Sequence, residues 1–147
     1  MQNVRAPSQL QDDAYEKITA LCQYGDQLIK AGDHAEGRKQ YLDALRLLPA
    51  DHANWNAATW IYVAIGDSHF LEGSFEKSWR CFVNAVQCPE GLGNPFIHLR
   101  LGQTCFELGK LDKAADELTR AYMGAGLDIF REDDPKYFDY LQTRIEI

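Results

Sequence analysis

What this 147-residue sequence lacks removes whole classes of protein. No apolar run approaches the ~20 residues needed to span a bilayer, so the sequence predicts no membrane segment. The four cysteines, at 22, 81, 88 and 105, form no close Cys-x-x-Cys pair. With the polar start MQNVRAPSQL, which has no signal-peptide character, this predicts free thiols in a reducing cytoplasm. Basic charge is short as well, with 15 Lys and Arg against 22 Asp and Glu and a net charge of −7. Phosphate contact needs clustered cations, so a duplex-binding protein is excluded and the acidity reads as solubility or as complementarity to a basic partner.

The machinery of catalysis is missing too. Gly91-Leu92-Gly93 follows no strand-like run and lacks the remaining glycine of a nucleotide loop. No nucleophile motif occurs, and no carboxylate is forced by spacing into an apolar pocket with a matching partner, as general acid-base work requires. His98 lies seven residues before Cys105, and His69 occupies the equivalent place in another unit, which would suit a metal. Both places point into helix packing, where a thiol acts as a small hydrophobe and a histidine satisfies one polar contact. His34 and His52 fall near turns and read as solvated. The reading is therefore no enzyme, no cofactor, no metal and no small-molecule substrate.

What is present is a repeat. From Gly102, residues follow at fixed offsets: Gly109, Leu111, Ala114, Leu118 and Ala121. The same offsets from Gly66 give Gly73, Phe75, Ser78, Phe82 and Ala85, and from Gly25 they give Gly32, His34, Gly37, Tyr41 and Ala44. Self-similarity without gaps inside a unit signals a repeat array. The first glycine lets two helices approach, the second supplies the left-handed backbone that ends a helix, and Tyr41, Phe82 and Leu118 fill the wedge between helices. In this small-large-small order the sequence resembles the tetratricopeptide repeat family, whose unit is a helix hairpin of about 34 residues with a closing proline. Pro49 stands at that proline's place, Pro89 comes one residue early, Gly126 replaces it in the third unit, and Leu21, Tyr62 and His98 replace the opening tryptophan.

The predicted fold is all-α, a TPR-like array of three helical hairpins with a C-terminal capping helix. Residues 1–10 read as a flexible arm, and residues 11–147 as one α-solenoid domain with repeats at about 18–51, 59–92 and 95–126 and a cap at about 134–145. Helices are expected from Asp12 or Asp13 to Gly32, from His34 to Leu48, from Phe75 to Gln87 and from Asn94-Pro95 onward. Five extra residues between the first two units, around Asp51 to Thr59, read as about two added turns on the following helix, which would project beyond its neighbours. Tyr137, Phe138, Leu141 and Ile145 form the buried stripe of the cap.

Helical phase selects a surface. Beside the packed face of each unit's first helix runs a second stripe: Asp26 and Ile29; then Trp60, Val63, Asp67 and Phe70; then Phe96, Leu99, Arg100, Gln103, Phe106 and Glu107. The resemblance places this stripe on the concave face of a superhelix, as an aromatic groove edged by Asp26, Asp67 and Glu107 that takes a protein partner. Each of Trp60, Phe70 and Phe96 also suits packing between neighbouring helices. A version of the family clamps the C-terminal carboxylate of chaperones with Lys and Asn, but Cys22, Asp26 and Phe96 stand at those places and only Arg100 fits, so that version is rejected.

Two functional classes remain. The segment from GLGNPFIHLRLG to DDPKYF is similar to short bacterial TPR proteins associated with polymorphic-toxin loci, which implies a cytoplasmic immunity protein that occludes a basic toxin domain through its groove. The alternative is a secretion chaperone or adaptor, or a general TPR scaffold.

Overall fold

The computed structural model describes residues 12–51 and 54–147. The arm expected over residues 1–10 and the expectation for His52 lie outside them. Among the described residues there are seven α-helices and no strand: α1 (Asp12–Lys30), α2 (His34–Arg46), α3 (Asn56–Leu71), α4 (Phe75–Val86), α5 (Pro95–Glu107), α6 (Leu111–Ala125) and α7 (Pro135–Gln142), with a 3-10 helix at Leu127–Phe130 before α7.

Helices α1–α2, α3–α4 and α5–α6 form three hairpins, and each turns in the same way. Gly32, Gly73 and Gly109 have φ of 86°, 78° and 78°, a left-handed backbone that costs a residue with a Cβ. The next amide closes the turn by donating five residues back, Asp33 to Leu28, Ser74 to His69 and Lys110 to Cys105, at 2.8–2.9 Å. Unpaired carbonyls at the helix end are thereby satisfied.

The repeat register is a steric one. A Cβ on Gly25 would stand 2.7 Å from the Tyr41 ring, one on Gly66 2.8 Å from Phe82, and one on Gly102 2.6 Å from Leu118. The three wedge residues are buried, as are Ala44, Ala85 and Ala121. Close approach at the glycines and tight contact at the alanines build three apolar clusters. The first joins α1, α2 and α3 around Ile18, Tyr41 and Ile61, the second joins α4 and α5 around Phe82 and Ile97, and the third joins α5 and α6 to the C-terminal segment around Leu99, Leu118 and Leu141.

Asn94 caps α5 by accepting from the amides of Phe96 and Ile97, and Asp134 caps α7 by accepting from that of Lys136. A proline follows each cap, at the first helical position, where its missing N–H costs nothing. Helix ends fall slightly inside the expected limits, at Arg46 for α2 and Gln142 for α7.

Two expectations are corrected. The insertion adds about one turn to α3 and not two, since α3 starts at Asn56, ahead of the register in which α5 starts at Pro95, and α3 stays shorter than α1. Just ahead of α3, the Asp51 carboxylate accepts from Asn54 Nδ2 at 3.2 Å and Trp55 Nε1 at 3.4 Å. A short acid that captures nearby donors competes with helix formation, which holds the helix start back. His34 is also not simply solvated: its Nδ1 lies 2.8 Å from Ser68 Oγ, linking the first hairpin to the second.

Candidate functional site

The first helices α1, α3 and α5 carry the predicted stripe, and its residues meet three different fates. Asp26, Ile29 and Asp67 line a cleft of about 250 Å³ between α1 and α3, together with Lys30, Tyr41, Ser68 and Leu71. Asp26 accepts from the Tyr41 hydroxyl at 2.5 Å, so this carboxylate is held at the cleft edge by the wedge residue of its own hairpin. Burial and then the Asp26 carboxylate hold the Tyr41 hydroxyl protonated well above its ordinary range. Trp60 is 37% exposed and meets Tyr15 edge to face at 6.4 Å between ring centres. Val63 packs on the Phe82 cluster.

At the centre of the face stands Arg100, only 7% exposed. Its guanidinium lies 4.3 Å from the centre of the Phe70 ring and 4.9 Å from that of Phe96, so two of the four aromatics of the expected groove are spent on one internal cation. Arg100 Nε donates to Asp67 Oδ1 at 2.8 Å, and its Nη1 donates to Gln103 Oε1 at 2.7 Å and to Asp133 Oδ1 at 3.3 Å. Gln103 Nε2 completes the circuit by donating to Asp133 Oδ2 at 3.0 Å. Nearly every polar atom of the cluster is matched, which is what allows a charge so deep in the structure.

The third unit's part of the stripe is therefore corrected. Leu99 and Gln103 are 1% and 0% exposed and cannot meet a partner. Phe106 lies between Tyr137 at 5.5 Å and Tyr140 at 5.3 Å, under α7. Glu107 accepts from the Tyr137 hydroxyl at 2.7 Å and pairs with Lys136 at 2.6 Å, so it is a joint to the cap and not a free rim charge. The physical reason is common to all four: the C-terminal segment takes the place of a fourth hairpin's first helix and covers the open side of α5. A second cleft, of about 370 Å³, remains between α5 and that segment, edged by Asp128, Arg131, Glu132 and Asp133.

The acidic segment Glu132 to Asp134 is an alternative candidate surface in the sequence, but the sequence does not foresee the partnership of Asp133 with Arg100. A signal existed, because Asp67, Arg100 and Asp133 are spaced by 33 residues each way, close to the repeat length, with alternating charge. The accessible part of the face thus includes Asp26, Ile29, Trp60, Asp67, Phe70 and Leu71 on α1 and α3 and the half-buried Phe96 on α5, with Asp128, Arg131, Glu132 and Asp133 beyond Arg100.

The thiols of the hairpin cores are held in the protonated, weakly nucleophilic form. Burial, and then Asp26, pushes the Cys22 thiol up to about 12, and burial pushes Cys81 up to about 11. His98 is a fully engaged core residue: the Gly93 N–H donates to its Nε2 at 2.9 Å, which leaves Nδ1–H to donate to Glu117 Oε2 at 2.6 Å. Among the described residues no group of three or more His, Cys, Asp or Glu is arranged to hold a metal ion, and no helix is long and apolar enough to cross a membrane.

No family profile and no curated protein matches the chain. Among solved structures it is similar to the first TPR of Spaghetti (RPAP3) bound to the HSP90 peptide SRMEEVD, with 16% identity, a TM-score of 0.66, and coverage of 87% of this chain and 90% of that one. It is also similar to the N-terminal domain of stress-induced protein-1 (STI-1) from C. elegans, with 16% identity, a TM-score of 0.68, and coverage of 90% and 98%. The likeness is one of fold: an all-α, TPR-like hairpin array.

Proposed function

We propose that this chain is a non-catalytic protein-binding module that takes a basic partner on the face of α1 and α3, and, most specifically, a cytoplasmic immunity protein that occludes a bacterial toxin domain. The observation that carries the binding reading is the open cleft between α1 and α3, with Asp26 and Asp67 on its walls and Trp60 exposed on the same face. An indole that is part exposed beside matched carboxylates is the kind of anchor that dominates interface energies. The toxin reading draws its support from the resemblance of the segment from Gly91 to Phe138 to short bacterial TPR proteins of toxin loci.

The RPAP3 domain binds an acidic peptide, but the same mode is disfavoured here on charge. Carboxylates line the cleft, and the one arginine at the centre of the face is already paired with Asp67 and Asp133. An incoming acidic tail would meet like charge on this face.

Occlusion inside a cell implies nanomolar binding, about −12 kcal/mol, over an interface of ~1,600 Å² or more. Affinity capture from the native host with mass spectrometry identifies the partner, and purified partner then tests the face. Trp60→Ala is expected to cost about 2 kcal/mol through faster dissociation. Asp26→Asn keeps an acceptor for Tyr41 while losing the charge, and is expected to slow association and weaken its salt dependence. Full affinity in both folded variants, or tight binding of SRMEEVD to the wild type, would overturn the proposal.

A further inference from the structure

One concavity, between α2 and α4, carries the opposite charge. Between α2 and α4 lies a third cleft, of about 500 Å³ and lined by different residues from the cleft of α1 and α3, with Arg38 and Lys39 on one wall and Lys77 and Arg80 on the other. In a chain with net charge −7 and only 15 Lys and Arg, four of those cations line one concavity that includes no carboxylate. The nearest acids hold the walls from outside: Glu72 pairs with Arg38, and Glu76 with Arg80. Arg38 is further fixed by donating to Ser68 Oγ at 2.9 Å, so one cation of the set is positioned in advance. Lys77 stands in the first turn of α4, where the helix macrodipole favours an acid, so its charge there is not explained by helix stability.

The floor is apolar. Ile65 is buried and Cys81 half-buried beneath the cations, and Leu42 lies 42% exposed at the lip. A lone phosphate group or a nucleic-acid backbone would use the cations but not this floor. A peptide that alternates carboxylates with a large apolar side chain uses both, in the manner of an amphipathic helix laid in a groove.

We infer that the α2–α4 cleft is a second docking site, for an acidic amphipathic segment of a partner protein, independent of the α1–α3 face. The charge excludes a basic partner there, so the two faces take ligands of opposite sign.

The probe is a fluorescently labelled helical peptide of Glu and Leu, with Leu at i and i+4 spacing, titrated by anisotropy against the full chain. Parallel arms use the same peptide with Gln for Glu, and a single-stranded oligonucleotide. Salt-sensitive binding of the Glu peptide, at least tenfold weakening in a Lys39→Glu, Lys77→Glu variant and no change in Trp60→Ala support the site. Both lysines are exposed, and circular dichroism of the variant checks that it is folded. Absence of binding, equal binding of the Gln peptide, tighter binding of the oligonucleotide, or loss in Trp60→Ala instead of the lysine variant would each overturn it. Because Trp60 lies on the other face, the last outcome is distinguishable from failure of the toxin reading.

Discussion

Replacing Gly102 by Ala tests the close approach on which the hairpin register depends. In an isolated helix the change is favourable by about 1 kcal/mol. In this chain the added Cβ would lie 2.6 Å from Leu118 Cγ, 2.7 Å from its Cδ2 and 3.0 Å from its backbone N, where ordinary contact begins at 3.4 Å. Leu118 is fully buried and has no room to turn away. Because a backbone atom is among the three, rotating the leucine does not relieve the clash, and α5 must move off α6. Overpacking of this kind costs ~1–3 kcal/mol. The tight contacts place this site in the upper half of that range, so the propensity gain leaves a net loss of about 1–2 kcal/mol.

At ~2–4 °C per kcal/mol for a chain near this size, the melting temperature should fall by roughly 2–8 °C. Urea unfolding should show the same loss as a lower midpoint with unchanged slope. The decisive measurement is the cycle with Leu118→Ala. Leu118→Ala alone should cost ~2–5 kcal/mol, but in that background the two closest clashes vanish and only the 3.0 Å contact to the backbone N remains, so Gly102→Ala should cost less than in the wild type, a coupling of about 1 kcal/mol or more. If Gly102→Ala stabilises the chain in both backgrounds, the helices are not as close as described and the steric account of the register fails.

The Arg100 cluster predicts that Arg100→Lys, although it keeps the charge, destabilises by about 1–2 kcal/mol in urea unfolding, because an ammonium cannot serve Asp67, Gln103 and Asp133 while stacking on two rings; wild-type stability in that variant would contradict the geometry. Burial, then the Arg38 and Lys77 cations, hold His69 below its ordinary value of 6.5. Below pH 6.5 the unfolded chain therefore takes up a proton that the folded chain resists, so stability should fall as pH drops from 6.5 through the lowered folded value, and His69→Gln should flatten that part of the profile.

The register was legible because it is written in residue size: at Gly25, Gly66 and Gly102 a Cβ has no space, and the residue sixteen places on is the one that takes that space. The capping helix was legible from its apolar stripe. Its seat on α5 was not, since periodicity shows that Tyr137 and Leu141 are buried without showing against what. For that reason Leu99, Gln103, Phe106 and Glu107 read as groove when they are covered. The hydrogen bonds from Asn54 and Trp55 to Asp51 escaped for a different reason. Trp55 and its neighbours have acceptable helix propensity, and a single side-chain carboxylate decides the competition.

Viewed as a mechanical stack, the array has joints between successive hairpins and one more before α7. Arg38 and His34 tie the first joint through Ser68 and Glu72. Arg100 belongs to the other two at once, reaching back to Asp67 and forward to Asp133. Bending at either of those joints pulls on the same guanidinium, so they flex together as one stiff body. The first hairpin swings against that body on its own pin. A superhelix of this build has two independent bending modes where its three joints suggest three, and one of the two widens or narrows the gap between α1 and α3.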